Sequence, residues 1–154
     1  MNNMIDKDLI SKLDKIWHYF IFNFQNKKTG FWGEELKDAT TIEVSILNIV
    51  DNNPEIMLKE IKEILDIPGS TLTSAVDRLE KRELIKRIIS KRDRRSFGLE
   101  LTEKGKKAQK RHIRAEKELF NNILGALDSK EERKQFLNSL EKIKNYFNEQ
   151  LKKG

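Results

Sequence analysis

Apolar residues recur at helical spacing along most of this chain, and the pattern predicts a mainly α-helical protein. The first stripe runs from about Asp6 to Phe24, with apolar side chains at steps of three and four. Residues 26–39 hold two glycines and show no clear period. They are therefore predicted to form a loop, with Phe31 and Trp32 anchored against neighbouring helices.

Two further helices are predicted after this loop. Thr40 and Glu43 have the spacing of a capping box, and the helix that they open is expected to run to about Asp51, before Pro54. Residues 57–65 then form a short amphipathic helix, and residues 66–68 form the turn that reorients the chain.

A short helix followed by a two-stranded ribbon is predicted over residues 65–102. The buried side of the helix is formed by apolar residues at spacings of three and four, namely Leu72, Ala75, Val76 and Leu79. Residues 85–89 and 97–101 are rich in β-prone side chains, and a highly charged turn separates them. The order helix, helix, ribbon is typical of a winged helix-turn-helix, whose second helix fits the major groove of DNA and whose ribbon arginines can enter the minor groove.

The last third of the chain is predicted to be two helices. Thr102 caps a long helix that reaches about Leu127, and Ser129 with Glu132 forms a second capping box that opens the last helix. The first and last helices each carry an apolar seam. These seams could form a dimer interface or could pack together within one subunit, and periodicity alone leaves both readings open.

Positive charge is concentrated in one region of the chain. The 154 residues carry a net charge of +6, but residues 78–114 contain fifteen lysines and arginines against five acidic residues. Basicity of this kind indicates binding to a phosphate backbone, and the alternative is a solvated lysine-rich surface. The coincidence of the charge with a groove-binding motif favours double-stranded DNA as the partner.

Composition excludes several classes of protein. The absence of cysteine excludes disulfides, thiol sensors and Cys-ligated zinc. The most apolar segment is too short and too interrupted to span a membrane, so we expect a soluble, cytoplasmic protein that makes no membrane contact. The sequence shows no glycine-rich phosphate loop and no nucleophile motif, so we predict no enzyme activity, no catalytic residues and no cofactor.

Three pieces of the run from Ile61 to Lys107 resemble the MarR (multiple-antibiotic-resistance regulator) family of bacterial transcription factors. They are STLTSAVDRLEKREL at residues 70–84, the Asp93-x-Arg95 motif, and Leu101-Thr102-x-x-Gly105. Where this family usually has glycine before the first wing strand, the chain has Glu83.

The resemblance implies a fold class and an organisation. The fold would be mainly α with a small two- to three-stranded β wing, as a winged helix-turn-helix with N- and C-terminal dimerisation helices. Residues 1–39 would be the N-terminal dimerisation helix and connecting loop, 40–103 the DNA-binding lobe and 104–154 the C-terminal dimerisation helices of one continuous domain. A homodimer would place two recognition helices about 34 Å apart and would favour a pseudopalindromic operator. The family resemblance makes repression of transcription the expected activity.

The DNA-binding residues are predicted to lie on the recognition helix and in the wing. They are Ser70, Thr71, Thr73, Ser74 and Arg78 on the helix and Arg92, Arg94 and Arg95 in the wing, with Asp93 bracing the wing as in the family. The alternative for the hydroxyls is capping, and for Arg78 it is simple solvation. Asp77 would repel phosphate, so it is expected to pair with Arg78, Lys81 or an arginine of the ribbon.

A small-molecule pocket is implied by the family, between the dimer helices and the DNA lobe. Trp17, His18 and Trp32 are candidates to line it and to receive a small aromatic effector such as an aromatic acid or phenol, although aromatic residues at helical spacing are more often core. His18 and His112 are the only imidazoles, and we predict no metal site from them. The main rival function is a winged helix that binds RNA or a protein partner.

Overall fold

The computed structural model describes residues 6–25 and 33–152. Over these residues it contains seven helices and two strands: α1 (Lys7–Gln25), α2 (Gly33–Leu36), α3 (Thr41–Asn52), α4 (Leu58–Leu65), α5 (Gly69–Lys81), β1 (Ile85–Ile89), β2 (Phe97–Leu101), α6 (Glu103–Gly125) and α7 (Lys130–Leu151). The mainly α class with a small wing is therefore confirmed. The chain divides into two compact units, residues 1–115 and residues 116–154.

The core of the first unit lies between α3, α4, α5 and the strands. Apolar side chains from all of these elements are buried, among them Ile46, Leu47, Ile61, Val76, Leu79, Leu84, Ile85 and Leu99. α3 begins as predicted, because the Thr40 hydroxyl accepts from the Glu43 amide at 3.2 Å and the Glu43 carboxylate accepts from the Thr40 amide at 2.6 Å. This reciprocal capping satisfies two amides that the helix itself leaves open.

The helix-turn-helix is formed by α4 and α5. α4 ends at Asp66, whose φ of 48° is in the left-handed region, and this turn redirects the chain into α5. Pro68 stands at the N-cap of α5, where its missing amide proton leaves no unsatisfied donor. The four apolar residues predicted to face the core of α5 are all buried.

The wing is an antiparallel pair of strands in continuous register from Ile85–Leu101 to Ile89–Phe97. An isolated bridge between Met57 and Gly98 adds the segment before α4 to the edge of this sheet. A Cβ at Gly98 would lie 3.0 Å from the carbonyl oxygen of Ile56, so a side chain here would push the two segments apart by a few tenths of an ångström.

The junction from α5 to β1 is a Schellman turn. The Leu84 amide donates to the Leu79 carbonyl at 3.0 Å, and the Glu83 amide donates to the Glu80 carbonyl at 2.8 Å. Glu83 occupies the left-handed position of this turn, with a φ of 60°. The backbone therefore takes the conformation that glycine favours although the residue is glutamate.

The start of α6 is packed directly against this junction. The Thr102 hydroxyl donates to the Glu83 carbonyl at 2.6 Å and accepts from the Gly105 amide at 3.0 Å, and the Thr102 amide donates to the Leu84 carbonyl at 3.1 Å. A Cβ at Gly105 would lie only 1.9 Å from the Leu84 carbonyl oxygen. The Leu-Thr-x-x-Gly motif is thus the means by which α6 is fixed to the end of the recognition helix.

α7 begins at Ser129 but its predicted capping box is only half formed. The Ser129 hydroxyl accepts from the Glu132 amide at 3.0 Å, whereas the Glu132 carboxylate accepts from the amide of Asp128 rather than from that of Ser129. Arg133 binds the Leu124 and Leu127 carbonyls at 2.8 and 2.9 Å and so satisfies acceptors at the end of α6.

Both terminal helices expose large apolar side chains. Those on α1 include Leu9, Ile10, Leu13, Ile16, Trp17 and Phe20, and those on α7 include Leu137, Leu140, Ile143, Phe147 and Leu151. No helix in the described part of the chain has the length and apolar character needed to cross a bilayer.

The segment predicted as a loop between α1 and α3 contains the short helix α2, which the sequence pattern missed. Its Leu36 is fully buried in the core. The anchoring predicted for Phe31 and Trp32 falls outside the described residues.

Candidate nucleic-acid interface

The exposed side of the recognition helix α5 carries a row of small hydroxyls. Ser70, Thr73 and Ser74 are exposed, while Thr71 is half-buried. Spacings of three and four residues continue this row to the exposed Asp77 and beyond it to Lys81. The three exposed hydroxyls can thus approach a nucleic acid closely, but the carboxylate of Asp77 lies in the same row.

Arg78 is held by a buried carboxylate. Its Nε donates to Glu43 Oε1 at 2.6 Å, and the Glu43 side chain is only 2% exposed while that of Arg78 is 53% exposed. The same carboxylate caps α3, so one buried acid fixes both a helix start and the arginine of the recognition helix. A buried carboxylate requires such partners, because desolvation of an unpaired charge is costly.

Arg87 of β1 joins the wing to the recognition helix. Its guanidinium donates to Asp77 Oδ1 at 2.5 Å and also binds the carboxylate of Glu80, and its own amide donates to Glu80 Oε1 at 3.3 Å. The hydrogen bond to Asp77 is the largest reason that the pKa of Arg87 is raised. Sequence reasoning expected an arginine of the ribbon as one possible partner of Asp77, but it did not identify Arg87.

The wing turn is organised around Asp93. Its carboxylate accepts from the Arg95 amide at 3.0 Å and from the Ser96 hydroxyl at 2.7 Å, and these bonds, the Ser96 bond first, lower its pKa. The buried Ser90 adds to the turn, since its hydroxyl accepts from the amides of Arg92 and Asp93. The turn is therefore closed by side chains that lie within it.

The three arginines of the turn differ in their partners. Arg92 is paired with Glu60 of α4 at 3.0 Å, and the Glu60 carboxylate also accepts from the Met57 amide at 2.9 Å. The Met57 bond, followed by Arg92, lowers the pKa of Glu60. Arg94 and Arg95 are exposed, and neither side chain has an ion-pair partner within residues 6–25 and 33–152.

Internal pairing accounts for part of the basic region that the sequence displays. In the described ranges, cations from this region that bind carboxylates are Arg78, Lys86, Arg87, Arg92, Lys104, Lys106 and Arg111. The charge of the wing turn is balanced less completely, because Lys91, Arg94 and Arg95 are exposed there without a carboxylate partner in the part of the chain that the structure describes.

Comparison with known proteins relates the helix-turn-helix and wing of this chain to a known family. The model of the MarR family matches residues 40–97, which include α3, the helix-turn-helix, β1 and the wing turn. Over these residues the chain is similar to the MarR family. The HTH-type transcriptional regulator YfiV of Bacillus subtilis strain 168 is 27% identical over 123 residues, which cover 75% of this chain and 77% of YfiV.

Solved structures of other proteins share the fold of the chain. FabT of Streptococcus pneumoniae, in complex with DNA, is 22% identical, with a TM-score of 0.76 over 94% of this chain and 99% of FabT. PcaV of Streptomyces coelicolor, in complex with its natural ligand, is 19% identical, with a TM-score of 0.60 over 94% of this chain and 96% of PcaV. The family consists of transcriptional regulators, which confirms the prediction that the chain is not an enzyme.

The residues predicted to line a MarR-type ligand pocket are only partly described. Trp17 is 61% exposed on α1, and His18 is exposed beside it with its Nδ1 2.9 Å from the Asp14 carbonyl. Trp32 lies outside the described residues. The second imidazole, His112, is buried on α6.

Proposed function

We propose that this chain is a homodimeric repressor of the MarR type that binds a pseudopalindromic site in double-stranded DNA. The observation that carries the proposal is the combination of an exposed hydroxyl row on α5 with exposed, unneutralised arginines in the wing turn. A helix presenting Ser70, Thr73 and Ser74 can enter the wide major groove of B-form DNA, and Arg94 and Arg95 can reach backbone phosphates or the minor groove.

Duplex DNA suits this arrangement better than duplex RNA. The major groove of A-form RNA is too deep and narrow for a recognition helix, whereas that of B-DNA admits one. Within the proposal, Thr71 and Arg78 contribute from the edge of the same helix, and Arg92 adds a phosphate contact. Asp93 braces the turn that presents these arginines.

The exposed apolar side chains on α1 and α7 support the dimer. Isolated exposed apolar residues are common on monomers, but rows of them along whole helices mark an interaction surface. Closed two-fold symmetry is the commonest arrangement for such a homo-oligomer. In this proposal residues 1–39 and 104–154 form the dimerisation helices and residues 40–103 form the DNA-binding lobe, and regulation of transcription at the chromosome implies a cytoplasmic location.

Binding to fluorescent duplexes at several salt concentrations tests DNA recognition. Arg95→Ala is expected to weaken binding to all sequences and to reduce the salt slope by about one, because one phosphate contact is lost. Lys134→Ala is the matched control, since it removes an exposed cation of α7 and should leave binding unchanged. Oligonucleotide selection should recover a two-fold symmetric site, and tighter binding to single-stranded or duplex RNA would refute the proposal.

Sedimentation equilibrium tests the dimer. Ile143→Glu places a charge in the apolar row of α7 and should yield a folded monomer. Asn145→Glu is the control, because it adds the same charge on a different side of the helix and should leave the dimer intact. A wild-type protein that sediments as a monomer at micromolar concentration and ignores duplex DNA at low salt would refute the proposal as a whole.

The proposal includes release from DNA by a small aromatic ligand. It is supported by the ligand-bound PcaV structure and by Trp17 and His18, which offer an exposed aromatic surface with a hydrogen-bonding imidazole at its edge. Benzoate and phenol should raise the melting temperature of the protein and weaken its binding to duplex DNA, and Trp17→Ala should abolish both effects. Release that is unchanged in this variant would exclude Trp17 from the ligand site.

A further inference from the structure

Asp77 lies in the middle of the row that would face DNA. It follows Thr73 by four residues and Ser74 by three, and Lys81 comes four residues after it on the same side of α5. The Asp77 side chain is 58% exposed. A bare carboxylate at this position would stand against the phosphates that the neighbouring hydroxyls approach.

Arg87 neutralises this carboxylate from the wing. Its side chain is 29% exposed, and its two terminal nitrogens are divided between Asp77 and Glu80. Alternation along β1 explains why the Arg87 side chain points toward α5. The preceding residue, Lys86, points to the other face of the ribbon and pairs there with Glu100 at 2.9 Å. Adjacent cations of one strand thus serve opposite faces.

The exposure of the partners indicates what this ion pair contributes. Asp77 and Glu80 are 58% and 39% exposed, and ion pairs in such solvated positions contribute little to folding stability. Their effect on the charge of the α5 surface is larger, since each carboxylate would otherwise add a full negative charge near the proposed interface. The ion pairs of Arg87 are therefore expected to affect DNA binding more than they affect folding stability.

We propose that Arg87 is a positioning residue of the DNA interface, which neutralises Asp77 and fixes the recognition helix to the wing so that the hydroxyl row can approach a duplex. This inference rests on the proposed DNA-binding function. Arg87 acts through Asp77 and need not touch DNA itself. It was not among the residues that the sequence indicated for the interface.

Four proteins test this role: the wild type, Arg87→Ala, Asp77→Asn and the double variant. Each is titrated with a duplex recovered by selection with the wild type. Arg87→Ala should weaken binding about tenfold or more, the effect of a like charge a few ångströms from a phosphate in a solvated setting. Asp77→Asn should bind nearly as well as the wild type. The double variant should regain the part of the affinity that Arg87→Ala loses through the unmasked Asp77 charge, although Glu80 stays without Arg87 in it.

Lys86→Ala is the matched control. It removes the same charge from the neighbouring position of β1, and its loss should stay within about threefold because its partner lies on the other face of the ribbon. Thermal unfolding should change by only a few degrees in all variants.

Two results would overturn the inference while leaving DNA binding intact. One is a loss in Arg87→Ala no larger than that in Lys86→Ala. The other is a double variant as weak as Arg87→Ala, which would mean that Arg87 acts through packing or through Glu80 and not through Asp77. A wild type that binds no duplex would instead refute the proposed function, and the inference with it.

Discussion

Substitution of Gly105 by alanine should disrupt the junction between the recognition helix and α6. The new Cβ would lie 1.9 Å from the Leu84 carbonyl oxygen and 2.9 Å from the Leu84 carbonyl carbon. Favourable contacts between such atoms lie near 3.5 Å, so the two backbones must separate by more than an ångström. Both obstructing atoms belong to the main chain and cannot move aside by a rotamer change.

The expected cost combines three effects. Overpacking of a tight site costs about 1–3 kcal/mol. The Leu84 carbonyl also accepts from the Thr102 amide at 3.1 Å, and weakening this bond costs about 1 kcal/mol. Alanine returns up to about 1 kcal/mol through its higher helix propensity. The free energy of unfolding should therefore fall by roughly 1–3 kcal/mol, which lowers the melting temperature of a chain of this size by about 2–12 °C.

Chemical denaturation followed by circular dichroism at one fixed protein concentration measures this change. Gly125→Ala is the matched control, because a Cβ at Gly125, also within α6, has no neighbouring atom within 4 Å. It should leave stability unchanged or raise it by up to about 1 kcal/mol. Equal stability of Gly105→Ala and the wild type would refute the close packing described for this junction.

Three further predictions concern the same lobe. Glu83→Gly should raise the free energy of unfolding by about 0.5–1 kcal/mol in denaturant titrations, because glycine accepts the left-handed φ without strain, and a decrease would contradict the Schellman geometry. Arg78→Ala should lower the free energy of unfolding by about 2–4 kcal/mol, since Glu43 would remain a buried carboxylate without its ionic partner. Arg78→Lys should lower the free energy of unfolding less. Equal losses in the two variants would argue against the ion pair. The pKa of Asp93 is lowered in the folded wing from its ordinary 3.8, so its stabilisation is fully present above that value and is lost as the pH falls through the lower folded pKa. Protection factors of the wing-turn amides, which correct the exchange rates for their intrinsic pH dependence, should accordingly fall at acid pH. Asp93→Asn should show low protection already at neutral pH, and a turn equally protected in the variant would be inconsistent with the brace.

Local patterns were sufficient to predict most helices and the wing. The Thr40 capping box, the apolar face of α5 and the alternation that defines β2 each depend on residues close together in sequence. α2 was missed because four residues are too few to show a helical period. The capping box predicted at Ser129 was half wrong, because the Glu132 carboxylate accepts from the amide of Asp128 instead of the amide of Ser129.

The interface was harder to predict, because its organising contacts join residues far apart in the chain. Glu43 and Arg78 are separated by 35 positions, and Glu60 and Arg92 by 32. Nothing in the local sequence distinguishes an arginine that is bound by an internal carboxylate from one that is exposed. Arg87 could have been suspected only from its place in β1, where alternation turns it away from the face that Lys86 occupies.

The Glu60–Arg92 pair has a consequence for measurements of DNA affinity. If Arg92 moves onto a phosphate of the DNA, its ion pair with Glu60 breaks. The Glu60 carboxylate is then left to attract a cation from solution. Arg92 releases one bound cation from the DNA, and Glu60 takes up one cation, so this contact makes no net contribution to the number of ions released. A count of electrostatic contacts obtained by varying potassium chloride would consequently fall short of the number of arginines that touch the duplex, by one for each subunit.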